Sequence, residues 1–121
     1  MGRQDFINQL TALGYEVEDL GNSKVAFNYV IPIGRLAEQR IKLGFLVAED
    51  FPATPPSGPH VSPRLLPLNT TVKTHPNGGI HESKQFGPEW EYWSRPFHEW
   101  PRTDHTVRTY MAFIRRLFET L

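Results

Sequence analysis

The sequence contains no cysteine, and this absence excludes several kinds of chemistry at once. Without a thiol the chain forms no disulfide, no thiolate metal site and no cysteine-nucleophile intermediate. It also lacks an excess of charge of either sign, because 13 basic side chains balance 13 acidic ones. A nucleic-acid groove or an anionic membrane surface requires surplus positive charge, so we expect neither as a partner.

Long apolar runs are also missing from the 121 residues. A membrane-spanning helix needs about 20 consecutive apolar residues, and no run approaches that length. Residues 1–5 lack the apolar region of a signal peptide, so we expect a soluble cytoplasmic protein. The length is that of one domain, residues 1–121, with a single hydrophobic core.

Hydrophobic periodicity predicts a helix followed by an antiparallel sheet. Apolar residues recur at helical spacing over residues 5–13, and Gly14 is placed to end that helix. From Tyr15 the period changes to two, and the turn-forming residues 21–23 predict a hairpin. Two segments then place their apolar residues on one face: Val25, Phe27, Tyr29 and Ile31, followed by Ile41, Leu43, Phe45 and Val47. We predict a three-stranded meander and a short last strand near His60 and Val61.

The second half of the chain has a different composition. Ten of the eleven prolines lie between Pro52 and Pro101, and proline cannot donate a backbone hydrogen bond, so this half is predicted to be irregular. Long irregular segments often carry a functional site. A C-terminal helix follows, capped by Thr103 or Asp104. Its apolar residues at helical spacing are Val107, Tyr110, Met111, Ile114, Leu117, Phe118 and Leu121.

Together these elements predict an α+β fold. An N-terminal helix precedes an antiparallel meander of about four strands, a proline-rich loop segment follows, and the long C-terminal helix packs on the sheet.

Residues 75–83, HPNGGIHES, combine two histidines, an asparagine, a proline and two glycines, a density typical of a built site. A metal centre is not favoured, because His75 and His81 are not spaced to share a helical face, and we predict no metal and no other cofactor. A hydrolytic triad is also not favoured, because Ser83 lies near His81 without a nucleophile elbow. The structural alternative is that Pro76 and the glycines shape a turn and that His81 is a solvated loop residue.

Aromatic side chains are concentrated in the same half of the chain. They are Phe86, Trp90, Tyr92, Trp93, Phe97 and Trp100. Aromatic rings in an irregular segment can form a partner-binding surface. They can equally build a core where regular strands are lacking, and the sequence leaves both interpretations open.

The order of motifs resembles that of ubiquitin-conjugating enzymes, the UBC-like fold. FPATPPSGPHV at 51–61 resembles the family's proline turn, and HPN at 75–77 its HPN tripeptide. GGIH at 78–81 stands where the family approaches its catalytic cysteine, and EWPRTDHTV at 99–107 carries the Trp-Pro pair before a helix. EWEYWSRPF at 89–97 is similar to the signature of a prokaryotic branch. The resemblance implies a compact bacterial member of the family.

The sequence differs from that family at the position of the catalytic cysteine. The resemblance places His81 at the nucleophile position, with Asn77 as oxyanion support and His75 beside it in the HPN tripeptide. An acyl-imidazole is hydrolytically labile, so His81 would be a poor carrier of a ubiquitin-like protein. We therefore expect a catalytically degenerate protein, a pseudoenzyme that forms no thioester.

Alternatives to the pseudoenzyme interpretation stay open. His81 can serve repurposed chemistry as a general base or nucleophile, because imidazole exchanges protons near neutral pH. Engineered replacement of a natural cysteine would also account for His81, although alanine or serine is the usual choice.

The resemblance implies the partners as well. They are a ubiquitin-like protein, its activating enzyme or another conjugating enzyme, for which the protein serves as a binding or scaffold component. The predicted partner-binding residues are Phe51, Pro55, Pro56, Trp93 and Trp100. A further alternative is an interaction domain with no ubiquitin-like partner.

Overall fold

The computed structural model describes residues 2–70 and 78–121 and shows two helices with a six-stranded antiparallel sheet between them in sequence. The helices are α1 (Arg3–Ala12) and α2 (Val107–Glu119), and a 3-10 helix spans Trp100–Arg102. The strands are β1 (Val17–Gly21), β2 (Lys24–Val30), β3 (Arg40–Leu46), β4 (His60–Ser62), β5 (Ile80–Glu82) and β6 (Glu91–Trp93). Their spatial order is β1-β2-β3-β4-β6-β5. The predicted α+β class is confirmed, and the predicted number of about four strands is too low.

The β1–β3 meander follows from alternation in the sequence. Phe27 of β2 lies opposite Leu43 of β3, and both side chains are fully buried. The hairpin between β1 and β2 turns through Asn22 and Ser23, whose φ angles of 50° and 67° give the backbone twist that a two-residue hairpin requires. This part of the sheet has the strands and the buried face that the sequence predicts.

Both helices pack on the face of the sheet that carries these apolar residues. The Phe6 ring of α1 lies 5.8 Å from Phe45, and the Tyr110 ring of α2 lies 5.6 Å from the same ring. Phe118 reaches Tyr29 near the other end of α2, at 5.8 Å. We call this the core face and the opposite side of the sheet the outer face. The predicted packing of the C-terminal helix on the sheet is confirmed.

The cap of α2 differs from the prediction. Thr106 is the N-cap, and its hydroxyl accepts from the backbone N–H of Thr109 at 3.3 Å. Asp104 instead accepts from the hydroxyls of Thr106 and Thr109, at 2.9 and 2.7 Å. The helix therefore begins later than a cap at Thr103 or Asp104 would place it.

Three strands lie inside the proline-rich half, where the sequence predicts one. β4 includes the predicted His60 and Val61, whereas β5 and β6 were not expected. Each of the three has only three residues, and the prolines lie between the strands rather than inside them. In the part of the chain that is described, no helix is long and apolar enough to cross a membrane.

Candidate functional site

A row of side chains crosses the outer face of β4, β6 and β5. Strand register places Tyr92 of β6 opposite both His60 of β4 and His81 of β5. The Tyr92 ring lies 4.7 Å from the His60 ring and 6.2 Å from the His81 ring. Two histidines 21 positions apart in sequence thus flank one tyrosine.

His60 is the buried end of this row. Its Nδ1 atom lies 2.8 Å from the Ser83 hydroxyl, and each residue exposes only 1% of its surface. Ser83 also accepts from the backbone N–H of Phe86 at 3.2 Å, which leaves its hydroxyl proton available for His60. Nε2 of His60 is buried and has no hydrogen-bond partner among residues 2–70 and 78–121.

Burial sets the protonation state of His60. Loss of solvation, together with the positive charge of Lys24, lowers the pKa of His60 to about 4 from the ordinary value of 6.5. The imidazole is therefore neutral at neutral pH.

The chain between β5 and β6 covers His60. The Phe86 ring lies 4.6 Å from the His60 ring and 4.9 Å from Trp90. It also lies over Gly44 of β3, where an added Cβ atom would come within 2.6 Å of the Phe86 ring. We call residues 84–90 the flap. Glycine at position 44 lets the flap lie directly on the sheet, and the flap closes His60 and Ser83 off from solvent.

His81 is the accessible end of the row. It lies on β5 at the edge of the sheet and is partly exposed, so it is not the fully solvated loop residue of the structural alternative. The preceding Gly79 is buried at φ 68°, and its carbonyl accepts from the N–H of Ser94 at 2.9 Å. Ile80 exchanges two backbone hydrogen bonds with Asn69, at 2.9 and 2.7 Å, which ties down the start of β5. The strand therefore holds His81 in a defined position beside Tyr92.

The other two predicted catalytic residues, His75 and Asn77, lie outside the described residues. Their predicted roles beside His81 stay predictions. What the structure does describe is the chain on either side of them, from Asn69 and Thr70 to the buried Gly78.

The aromatic residues predicted to bind a partner are core residues. Phe51, Trp93 and Trp100 expose 0%, 1% and 1% of their surface, so they offer no contact area to a partner in this structure. The Trp100 indole donates to the carbonyl of Pro52 at 2.9 Å, which fastens the proline turn to the 3-10 helix. The core interpretation of these rings is the one that the structure supports.

The two prolines of the predicted partner surface also lie in the proline turn. Pro56 is buried and Pro55 is partly exposed. The hydroxyl of Tyr110 donates to the carbonyls of Pro56 and Ser57, and this contact joins the turn to α2. Of the five predicted partner residues, only Pro55 keeps an appreciable exposed surface.

A buried carboxylate, not predicted as a site residue, lies on the core face. Glu91 of β6 is fully buried and accepts from the backbone N–H groups of Leu65 and Leu66 at 2.9 and 3.2 Å. The Trp93 indole donates to the same carboxylate at 3.0 Å. With three donors directed at it, Glu91 is a structural anchor that joins the chain after β4 to β6.

The pairing of His60 with Ser83 was also missed. The sequence places Ser83 two residues after His81, but in the structure its hydroxyl pairs with His60 at 2.8 Å. The available signal was the alternation of His60, Val61 and Ser62, which puts His60 on the face opposite the core residue Val61.

Among the residues described, no cluster of three or more histidine, aspartate or glutamate side chains is arranged to hold a metal ion.

Comparisons with protein-family models, with curated proteins and with solved structures find no match to this chain.

Proposed function

We propose that this protein is a UBC-like domain that acts as a binding or scaffold component of a bacterial ubiquitin-like modification pathway and forms no thioester. The positions of the motifs support the assignment. The proline turn connects β3 to β4, the GGIH segment leads into β5, and the Trp-Pro pair forms the 3-10 helix before α2. The resemblance implies this order of motifs, with a helix and antiparallel strands before the proline turn and a helix after the Trp-Pro pair.

The observation that carries the non-covalent part of the proposal is the burial of Ser83. The chain has no thiol, so a conjugating intermediate would need another nucleophile near His81. Ser83, two residues away, is 1% exposed, pairs with His60 and lies under the flap. A hydroxyl held in this way cannot reach an activated carboxyl group on a partner protein.

The proposed partners are those of the resembled family: a ubiquitin-like protein, its activating enzyme or another conjugating enzyme. Binding of this kind needs a folded surface and no covalent step.

A second candidate function uses His81 as a general base or nucleophile. It is favoured by the position of His81, which is partly exposed on an edge strand and held beside Tyr92. An imidazole in that setting is accessible to solvent and to a substrate. A third candidate is an interaction domain without a ubiquitin-like partner. It predicts that affinity capture recovers neither a ubiquitin-like protein nor its activating enzyme.

The test combines affinity capture with substitution of one histidine. Intact protein is used as bait in its native lysate with ATP present, and captured proteins are identified by mass spectrometry. The proposal predicts a ubiquitin-like protein or its activating enzyme among them, retained equally by His81→Ala and by the control His98→Ala, whose histidine is exposed. Turnover of a captured partner that His81→Ala abolishes would favour the second candidate instead.

A further inference from the structure

A groove of about 720 Å³ lies between the end of α1, the last residues of β2 and residues 108–115 of α2. Leu13, Tyr29 and Val30 form part of its apolar wall, and Arg108 and Arg115 line it from α2. The pairing of β1 with β2 ends at Phe27, so β2 extends past its neighbour at this place. The groove is lined by side chains from three elements.

Unusually exposed apolar groups mark this groove. Large hydrophobic side chains are mostly buried in the described part of the chain; of the four that are exposed, Leu13 at 38% and Val30 at 54% lie here, and Leu20 and Leu68 lie elsewhere. Leu13 and Val30 both line the groove. Covering them would remove apolar surface from water, which favours association with a partner.

The charged side chains that line the groove are all positive. Arg108 and Arg115 are exposed and lie two helical turns apart on one face of α2, and no aspartate or glutamate lines the groove. Neither arginine forms an ion pair within residues 2–70 and 78–121. Because the chain as a whole is neutral, this concentration of unpaired positive charge is local.

Tyr29 and Arg115 both line the groove. Burial and the neighbouring Tyr15 raise the pKa of Tyr29 to about 12, and the charge of Arg115 opposes that rise. The phenol is uncharged at neutral pH, so it adds no negative charge to the groove.

Positive charge continues beside the groove. An adjoining groove of about 570 Å³ shares Tyr29 and Val30 and is lined by Arg40 and Lys42, again with no acidic residue. Lys42 is paired with Glu18 at 2.9 Å, so Arg40 is the further cation that a partner can meet.

From this arrangement we infer that the groove is a docking surface for a partner segment in which acidic and aliphatic side chains alternate. The aliphatic side chains would cover Leu13 and Val30, and the carboxylates would pair with Arg108 and Arg115. A nucleic acid is a poorer match, because it would leave the aliphatic wall uncovered and the chain has no excess positive charge to attract it. This surface does not depend on the function proposed above.

The experiment measures fluorescence anisotropy of a labelled synthetic peptide in which glutamate and leucine alternate, with the full chain titrated in at low and moderate salt. We expect binding that weakens as salt is added. The double variant Arg108→Gln/Arg115→Gln should bind about tenfold more weakly, since each exposed ion pair contributes modestly. The matched control is Arg116→Gln, an exposed arginine on the same helix that does not line the groove.

Two further peptides test the chemistry of the occupant. Replacing every glutamate by glutamine, or every leucine by serine, should weaken binding about tenfold or more. Circular dichroism on the variants separates loss of binding from loss of fold. The inference is overturned if the glutamate-leucine peptide does not bind at low salt, if the double variant binds it as well as the natural chain, or if Arg116→Gln weakens binding equally. A labelled oligonucleotide that binds in place of the peptide, with the same dependence on Arg108 and Arg115, would also overturn it.

Discussion

His60 should make the stability of the protein depend on pH in a specific direction. Its pKa is lowered to about 4 in the folded protein and is about 6.5 in the unfolded chain. Between those values the unfolded chain binds more protons, so the free energy of unfolding falls as the pH falls. The stabilisation is complete above about pH 6.5 and is lost progressively down to about pH 4.

The size of the effect follows from the two pKa values. Between pH 7.5 and pH 5, the free energy of unfolding should fall by about 2 kcal/mol because of proton binding at this one site. The assay is urea unfolding at both pH values for the natural chain and for His60→Gln, which cannot titrate. The natural chain should lose about 2 kcal/mol more than the variant over that interval.

A matched variant isolates the buried site. His98 is exposed, so His98→Gln should keep the pH dependence of the natural chain. If His60→Gln and the natural chain lose the same free energy between the two pH values, the burial argument for His60 is refuted. The same conclusion would follow if NMR showed the His60 imidazole titrating near 6.5.

Two substitutions test the packing around the candidate site. An added Cβ on Gly44 would lie 2.6 Å from Phe86 Cε2, so Gly44→Ala should lower the free energy of unfolding in urea by about 1–3 kcal/mol. In the double variant with Phe86→Ala, part of that loss should be recovered. If the losses of the two single variants simply add in the double variant, the contact between Gly44 and the flap is contradicted. Glu91→Ala should lower the free energy of unfolding by about 3–5 kcal/mol, because it leaves two backbone N–H groups and the Trp93 indole without their buried acceptor. Glu91→Gln keeps one acceptor oxygen and should lower it less. Equal losses in the two variants would contradict the anchor role.

The parts of the fold that sequence predicts well are those with long periodic patterns. β2 and β3 each have seven residues, enough for alternation to mark the buried face and to set their pairing. α2 has 13 residues, and its apolar side chains return at every turn. In these elements local pattern and tertiary packing favour the same structure.

The short strands could not be predicted in this way. Three residues in β5 or β6 show too little alternation to distinguish a strand from a loop, and these strands exist because each pairs with a neighbour already in the sheet. The cap of α2 was misplaced because Thr103, Asp104 and Thr106 all have side chains suited to capping, and only the path of the chain selects Thr106.

The predicted catalytic roles at the candidate site stay predictions. The sequence singled out His81, and the structure places it on an accessible edge strand. Alternation puts His60 on the outer face, but the sequence alone does not identify Ser83, 23 residues later, as its partner, because the contact depends on how the flap folds over β4. The aromatic residues could not be divided between core and surface by composition, since the same large rings suit both environments.

The most direct measurement for the central claim is affinity capture of the intact protein from its native lysate with ATP, followed by mass spectrometry of the captured proteins and of the bait itself. We predict that a ubiquitin-like protein or its activating enzyme is recovered, that denaturant releases it completely, and that the bait keeps its unmodified mass. Recovery of neither, where a known pair from the same lysate survives, would contradict the pathway assignment, and a denaturant-resistant adduct on the bait would contradict the absence of a covalent intermediate.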